Sequence, residues 1–123
     1  MGTSEESDLA DIWEAAKAAF SGELEPHFSV EERLLLRPLA SVGETALVER
    51  TIREHTRLRA LIELDGESEV VLEFGELLTA HVRFEERELF PRAEEVLDAE
   101  TLDAVATASA ALEPAQERAR RRL

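Results

Sequence analysis

Apolar residues recur at three- and four-residue steps along almost the whole chain, and that spacing predicts helix throughout. A first inward stripe reads Trp13, Ala16, Phe20, Leu24, His27, Glu31 and Leu34, with Ser4 or Ser7 as candidate caps. Ser21-Gly22 and Pro26 predict a kink within it. Pro38 predicts its end, because the residue before a proline avoids α geometry. Gly43 opens a second helix carrying Leu47 or Val48, Ile52, His55, Leu58 and Ile62, which Asp65-Gly66 ends. A third starts near Ser68 and carries Val71, Phe74, Leu78, His81, Glu85 and Leu89. Pro91 kinks or caps it, and the helical pattern resumes to about Leu97. Asp98 caps a last, Ala-rich helix that runs toward Pro114. No strand-like alternation occurs. The pattern predicts an all-α bundle of three long helices plus a shorter C-terminal helix. It spans residues 7–113, between a disordered N-terminus (1–6) and a charged C-terminal tail (114–123).

The polar members of these stripes matter most. His27-Phe28-Ser29-Val30-Glu31-Glu32 and His81-Val82-Arg83-Phe84-Glu85-Glu86 are two copies of H-x-x-x-E-E. On a helix, residues four apart share a face, so each copy aims an imidazole and a carboxylate the same way. All three histidines of the chain fall on inward stripes of different helices. A lone inward histidine usually reads as a hydrogen-bonded core residue, but a carboxylate beside it is expensive to bury unpaired. A cation offsets that cost, and facing helices that project His and Glu inward commonly hold metal in a bundle core. Glu32 and Glu86 point about 100° away from the motif glutamates, toward arginines at the helix edge. Phe28 and Phe84 are expected to wall the site against water.

Charge and composition remove other readings. At 123 residues the chain forms one domain. With no cysteine, thiolate ligands, disulfides and cysteine nucleophiles are excluded. A net charge of −14 argues against nucleic acid; the arginines of 118–122 are expected to complement the last helix dipole. No apolar run is long enough to span a bilayer, and the acidic N-terminus has no signal-peptide hydrophobic region, so a cytoplasmic protein is expected. No phosphate loop or serine elbow occurs. The expectation is a binding protein rather than an enzyme, with no catalytic residue assigned.

Residues 23–28 (Glu-Leu-Glu-Pro-His-Phe) with Glu31-Glu32, residues 53–59 (Arg-Glu-His-Thr-Arg-Leu-Arg), and residues 81–91 (His-Val-Arg-Phe-Glu-Glu-Arg-Glu-Leu-Phe-Pro) together resemble the hemerythrin-like HHE cation-binding family. The resemblance covers roughly residues 12–97. It implies an up-down four-helix bundle with a non-haem di-iron carboxylate centre. It also implies a role in O₂, NO or redox sensing, or in iron handling. Carried over residue by residue, the metal ligands would be His27, Glu31, His55, His81 and Glu85, with Glu31 and Glu85 bridging. Iron, as two ions, is the implied cofactor, with Mn or Zn as alternatives.

The chain departs from that family in two places. Nothing before His27 supplies the histidine of the family's first helix, which is missing. Arg59 also stands one turn after His55, where reversible oxygen carriers have a second histidine. Three His and two bridging Glu supply about seven coordination positions, short of two six-coordinate irons, with water, Glu23 or Glu54 as fillers. The missing helix predicts an apolar groove. A homodimer with Trp13 and Phe20 in its interface, or the segment 98–112 folding back, would cover it. The alternative function is a metal-free bundle acting as a dimerisation or partner-binding module.

Overall fold

Helical backbone runs with few breaks from residue 2 to residue 121 in the computed structural model, which describes the backbone of those residues and the side chains of residues 7–112. The expected disorder of residues 1–6 and charged tail at 114–123 concern side chains outside the described residues. Four rods form. The first comprises α1 (Gly2–Ala19), α2 (Glu25–Val30) and α3 (Arg37–Ser41), joined without a break by π-helical turns at Phe20–Leu24 and Glu31–Leu36. The second is α4 (Thr45–Ile62). The third joins α5 (Ser68–Phe84) to α6 (Phe90–Val96) through a π-helical turn at Glu85–Leu89, and α7 (Ala99–Arg121) is the fourth.

The prolines account for the wide turns. Pro26, Pro38 and Pro91 each occupy the second position of the α-segment that follows a π-turn. Proline lacks a backbone N–H and crowds the carbonyl four residues earlier. An i→i+5 turn just before it absorbs both problems. The first helix therefore does not stop before Pro38, as expected, but continues to Ser41. It also begins at Gly2, ahead of both candidate caps.

Short turns reverse the chain between rods. Gly43 has φ 91°, open to glycine at little cost, and the amides of Gly43 and Glu44 return to the carbonyls of Ala40 and Leu39. Asp98 caps α7 as expected: its Oδ1 accepts from the Thr101 amide at 2.8 Å. Among the described residues no helix is long and apolar enough to cross a membrane.

Two apolar clusters fill the bundle. One gathers Trp13, Phe20, Phe28, Leu58, Leu61, Ile62 and Phe74. The other gathers Leu35, Leu36, Leu39, Phe84, Leu89 and Ala93, with Leu102 and Val105 of α7 packed against it. The fourth rod thus folds back along the first. Its small alanines permit close approach, and two larger side chains anchor it.

Trp13 and Phe20 are 4% and 6% exposed within the single chain. Trp13 meets Phe74 edge-on at 5.5 Å and donates from Nε1 to the Leu64 carbonyl at 3.0 Å. Gly66 lies beneath the indole, where an added Cβ would stand 2.5 Å from Trp13 Cγ. A dimer built on Trp13 and Phe20 would first have to expose them, so the interface expected there is replaced by the chain's own core.

Candidate metal centre

The two clusters are separated along the rods by a polar layer. Glu31 opens one π-turn and Glu85 another; His55 lies in α4 and His81 in the last turn of α5. One donor atom from each of these four residues lies within 4.8 Å of all the others. His55 is 0% exposed, His81 1% and Glu31 8%. His55 Nε2 approaches Glu31 Oε1 at 3.2 Å and His81 Nε2 approaches Glu85 Oε1 at 3.5 Å. Yet both Nε2 atoms, Glu31 Oε1 and Glu85 Oε2 are buried with no hydrogen-bond partner. Four unpartnered polar atoms converging on one point are costly in a folded core.

The opposite edge of each imidazole is fully engaged. His55 Nδ1 lies 2.7 Å from Glu32 Oε2, and His81 Nδ1 lies 2.8 Å from Glu54 Oε1. An ionised carboxylate can only accept, so each ring donates from Nδ1 and leaves the Nε2 lone pair facing the cluster. This carboxylate–histidine pairing is how ligating imidazoles are oriented and made more basic.

Arginines brace both carboxylates. Arg59 donates to Glu32 at 2.8 Å and to both oxygens of Glu25 at 2.8 Å. Arg50 donates to Glu54 at 3.0 Å and to Glu88 at 3.3 Å. Each guanidinium also lies over a phenylalanine, Arg59 over Phe28 at 5.7 Å and Arg50 over Phe84 at 4.1 Å. Phe28 in turn stacks on the His55 ring at 3.8 Å, 11° from parallel. The site is thus flanked by two matching assemblies of histidine, carboxylate, arginine and phenylalanine.

Burial, and then the closeness of Glu85, push the Glu31 carboxyl up to about 10. Burial works against the Glu85 charge as well, but its contacts with His81 and Glu31 outweigh that and bring it below the usual carboxylate range. The two carboxylates share one proton, held on Glu31. Burial also dominates at His55 and lowers it, whereas at His81 the pull of Glu85 and Glu54 overcomes burial and raises it.

Of the five ligands expected from the sequence, Glu31, His55, His81 and Glu85 are brought together and His27 is not. His27 lies one turn of α2 before Glu31 and is only half-buried, so the same rod brings Glu31 to the group and leaves His27 out of it. Phe28, three residues before Glu31, takes the inward line, 3% exposed. Glu32 and Glu54 were not expected to hold the histidines. Glu32 does pair with an arginine as foreseen, and Glu54, weighed as a ligand, instead orients His81. Phe28 and Phe84 wall the site as expected.

Neither a curated protein nor a solved structure matches this chain. A family model described as Hemerythrin HHE cation binding domain matches residues 2–93. That span takes in the first two rods, the third as far as residue 93, and all four converging side chains, and stops short of α7. Match and site agree: the chain belongs to the hemerythrin HHE cation-binding family.

Proposed function

We propose that this protein binds iron through Glu31, His55, His81 and Glu85, and that it serves in O₂, NO or redox sensing or in iron handling. The observation that carries the metal reading is the set of four buried donors without partners, two of them imidazole nitrogens whose lone pairs are aimed by Glu32 and Glu54. Two imidazoles and two carboxylates form a borderline-hard donor set of the kind that takes Fe(II), Mn(II) or Zn(II). Bound iron would supply redox chemistry. The chain's own residues supply the rest: Phe28 and Phe84 exclude water, and the two carboxylate–arginine braces hold the ring orientations.

The cation also explains why the layer is polar at all. A metal-free interaction module would gain stability by replacing these four residues with apolar ones, since buried ionic groups without full compensation are destabilising. The test is metal content after exposure to Fe(II), Mn(II) and Zn(II) under anaerobic conditions, followed by electronic spectra of the iron form in air. Protein that stays metal-free with all three ions refutes the reading.

A further inference from the structure

The donor set has a definite capacity. A bridged pair of ions sits about 3.5–4 Å apart and needs donors at both ends. Here four donor atoms crowd within 4.8 Å of one another, and His27 lies outside the group. The neighbouring carboxylates are already committed. Glu32 accepts from both Arg59 and His55 Nδ1, and Glu54 accepts from both Arg50 and His81 Nδ1. The outer partners of the two guanidiniums, Glu25 and Glu88, lie at the surface with 40% and 55% exposed side chains, and Arg59 holds both oxygens of Glu25.

Charge gives the same answer. Glu31 and Glu85 meet the two imidazoles and, among the described residues, form no ion pair with an arginine; with both ionised, their two negative charges would match one divalent ion. A second ion would place excess positive charge against two permanent guanidiniums in a site walled by Phe28 and Phe84, where like charges repel strongly.

Resting on the metal-binding reading above, we propose that the bundle holds a single divalent cation per chain, ligated by Glu31, His55, His81 and Glu85. In this arrangement Arg50 and Arg59 stand in the charge balance where a second ion would. The site is mononuclear, with its arginines as built-in counterions for the orienting carboxylates.

Titration of the full-length chain with Mn(II) under anaerobic conditions, read by elemental analysis and by electron paramagnetic resonance, tests this directly. The expected result is saturation at one ion per chain, with the resolved hyperfine pattern of an isolated Mn(II). X-ray absorption of the iron-loaded chain should show no metal–metal scatterer at about 3.5–4 Å. Two ions per chain with a spin-coupled spectrum would overturn the single-ion site while leaving metal binding intact; no ion at all refutes the metal reading itself. Arg59→Met leaves Glu25 and Glu32 without their cation, and it should admit a second, weaker ion. If Arg59→Met does not fold by circular dichroism, Arg50→Met puts the same question on the other side. A folded variant that still saturates at one ion removes the arginines from the cause.

Discussion

Glu31→Gln should make the metal-free protein more stable while abolishing its high-affinity metal binding. Glu31 is driven from an ordinary 4.5 to about 10 by burial and by Glu85. A group whose folded value is raised contributes stability that is complete below its unfolded value and is lost as pH rises toward the folded one. At pH 7 the gap from 4.5 is about 2.5 units, and at 1.36 kcal/mol per unit the cost is on the order of 3 kcal/mol. Because Glu31 and Glu85 share a proton, that cost belongs to the pair.

Glutamine keeps the shape, cannot ionise, and offers Glu85 an N–H where protonated Glu31 offered O–H. The variant should therefore recover most of that energy at neutral pH and little of it near pH 4.5. The assay is urea unfolding of both metal-free proteins at several pH values between 4.5 and 9, read by circular dichroism. The stability difference should widen as pH rises, and saturating metal should reverse the order in favour of the wild type. A variant no more stable than wild type at pH 7, or a difference that narrows with rising pH, would refute the argument.

Further outcomes follow from the same geometry. His81→Ala should lose the bound ion and with it the metal-dependent rise in melting temperature, which for a ligand at 100 times its Kd corresponds to about 2.7 kcal/mol; an unchanged metal content contradicts the ligand assignment. Glu54→Gln should weaken metal affinity by about 10- to 100-fold without removing it, because His81 exchanges its charged acceptor for a neutral amide oxygen that makes the ring less basic; competition against a chelator measures this. Gly66→Ala should destabilise the fold by about 1–3 kcal/mol and shift Trp13 fluorescence, since the new methyl meets the indole at 2.5 Å; thermal melts monitored at Trp13 check it.

Helix content and the inward placement of most polar residues were legible in the linear chain. Helical periodicity is a local property: His81 and Glu85 are four residues apart, and one turn of α5 and its π-turn aims them together whatever surrounds them. Glu31 and His55 followed from the same counting, and Asp98 announced its own cap. What the linear pattern could not carry was which turn of a stripe reaches the cluster. His27 shares a helix face with Glu31 but stays out of the group, while Phe28 stacks on His55. Pro26 was visible, but whether a proline ends a helix, bends it or is absorbed by a wide turn depends on the packing available afterward.

The partners of the histidines were equally beyond sequence reading. Glu32 reaches His55 across 23 positions and Glu54 reaches His81 across 27, pairings set by how the rods cross. The same holds for the cover of the first rod. The sequence leaves open whether the Ala-rich segment or a second copy of the chain lies against it. In the fold α7 does: small side chains let it lie close, Leu102 and Val105 anchor it to the second cluster, and Gly66 with Leu64 shelters Trp13 at the other end. Periodicity within one helix is dictated by backbone geometry; which residue meets which across helices is decided only when the rods pack and every buried polar atom must find a partner or a cation.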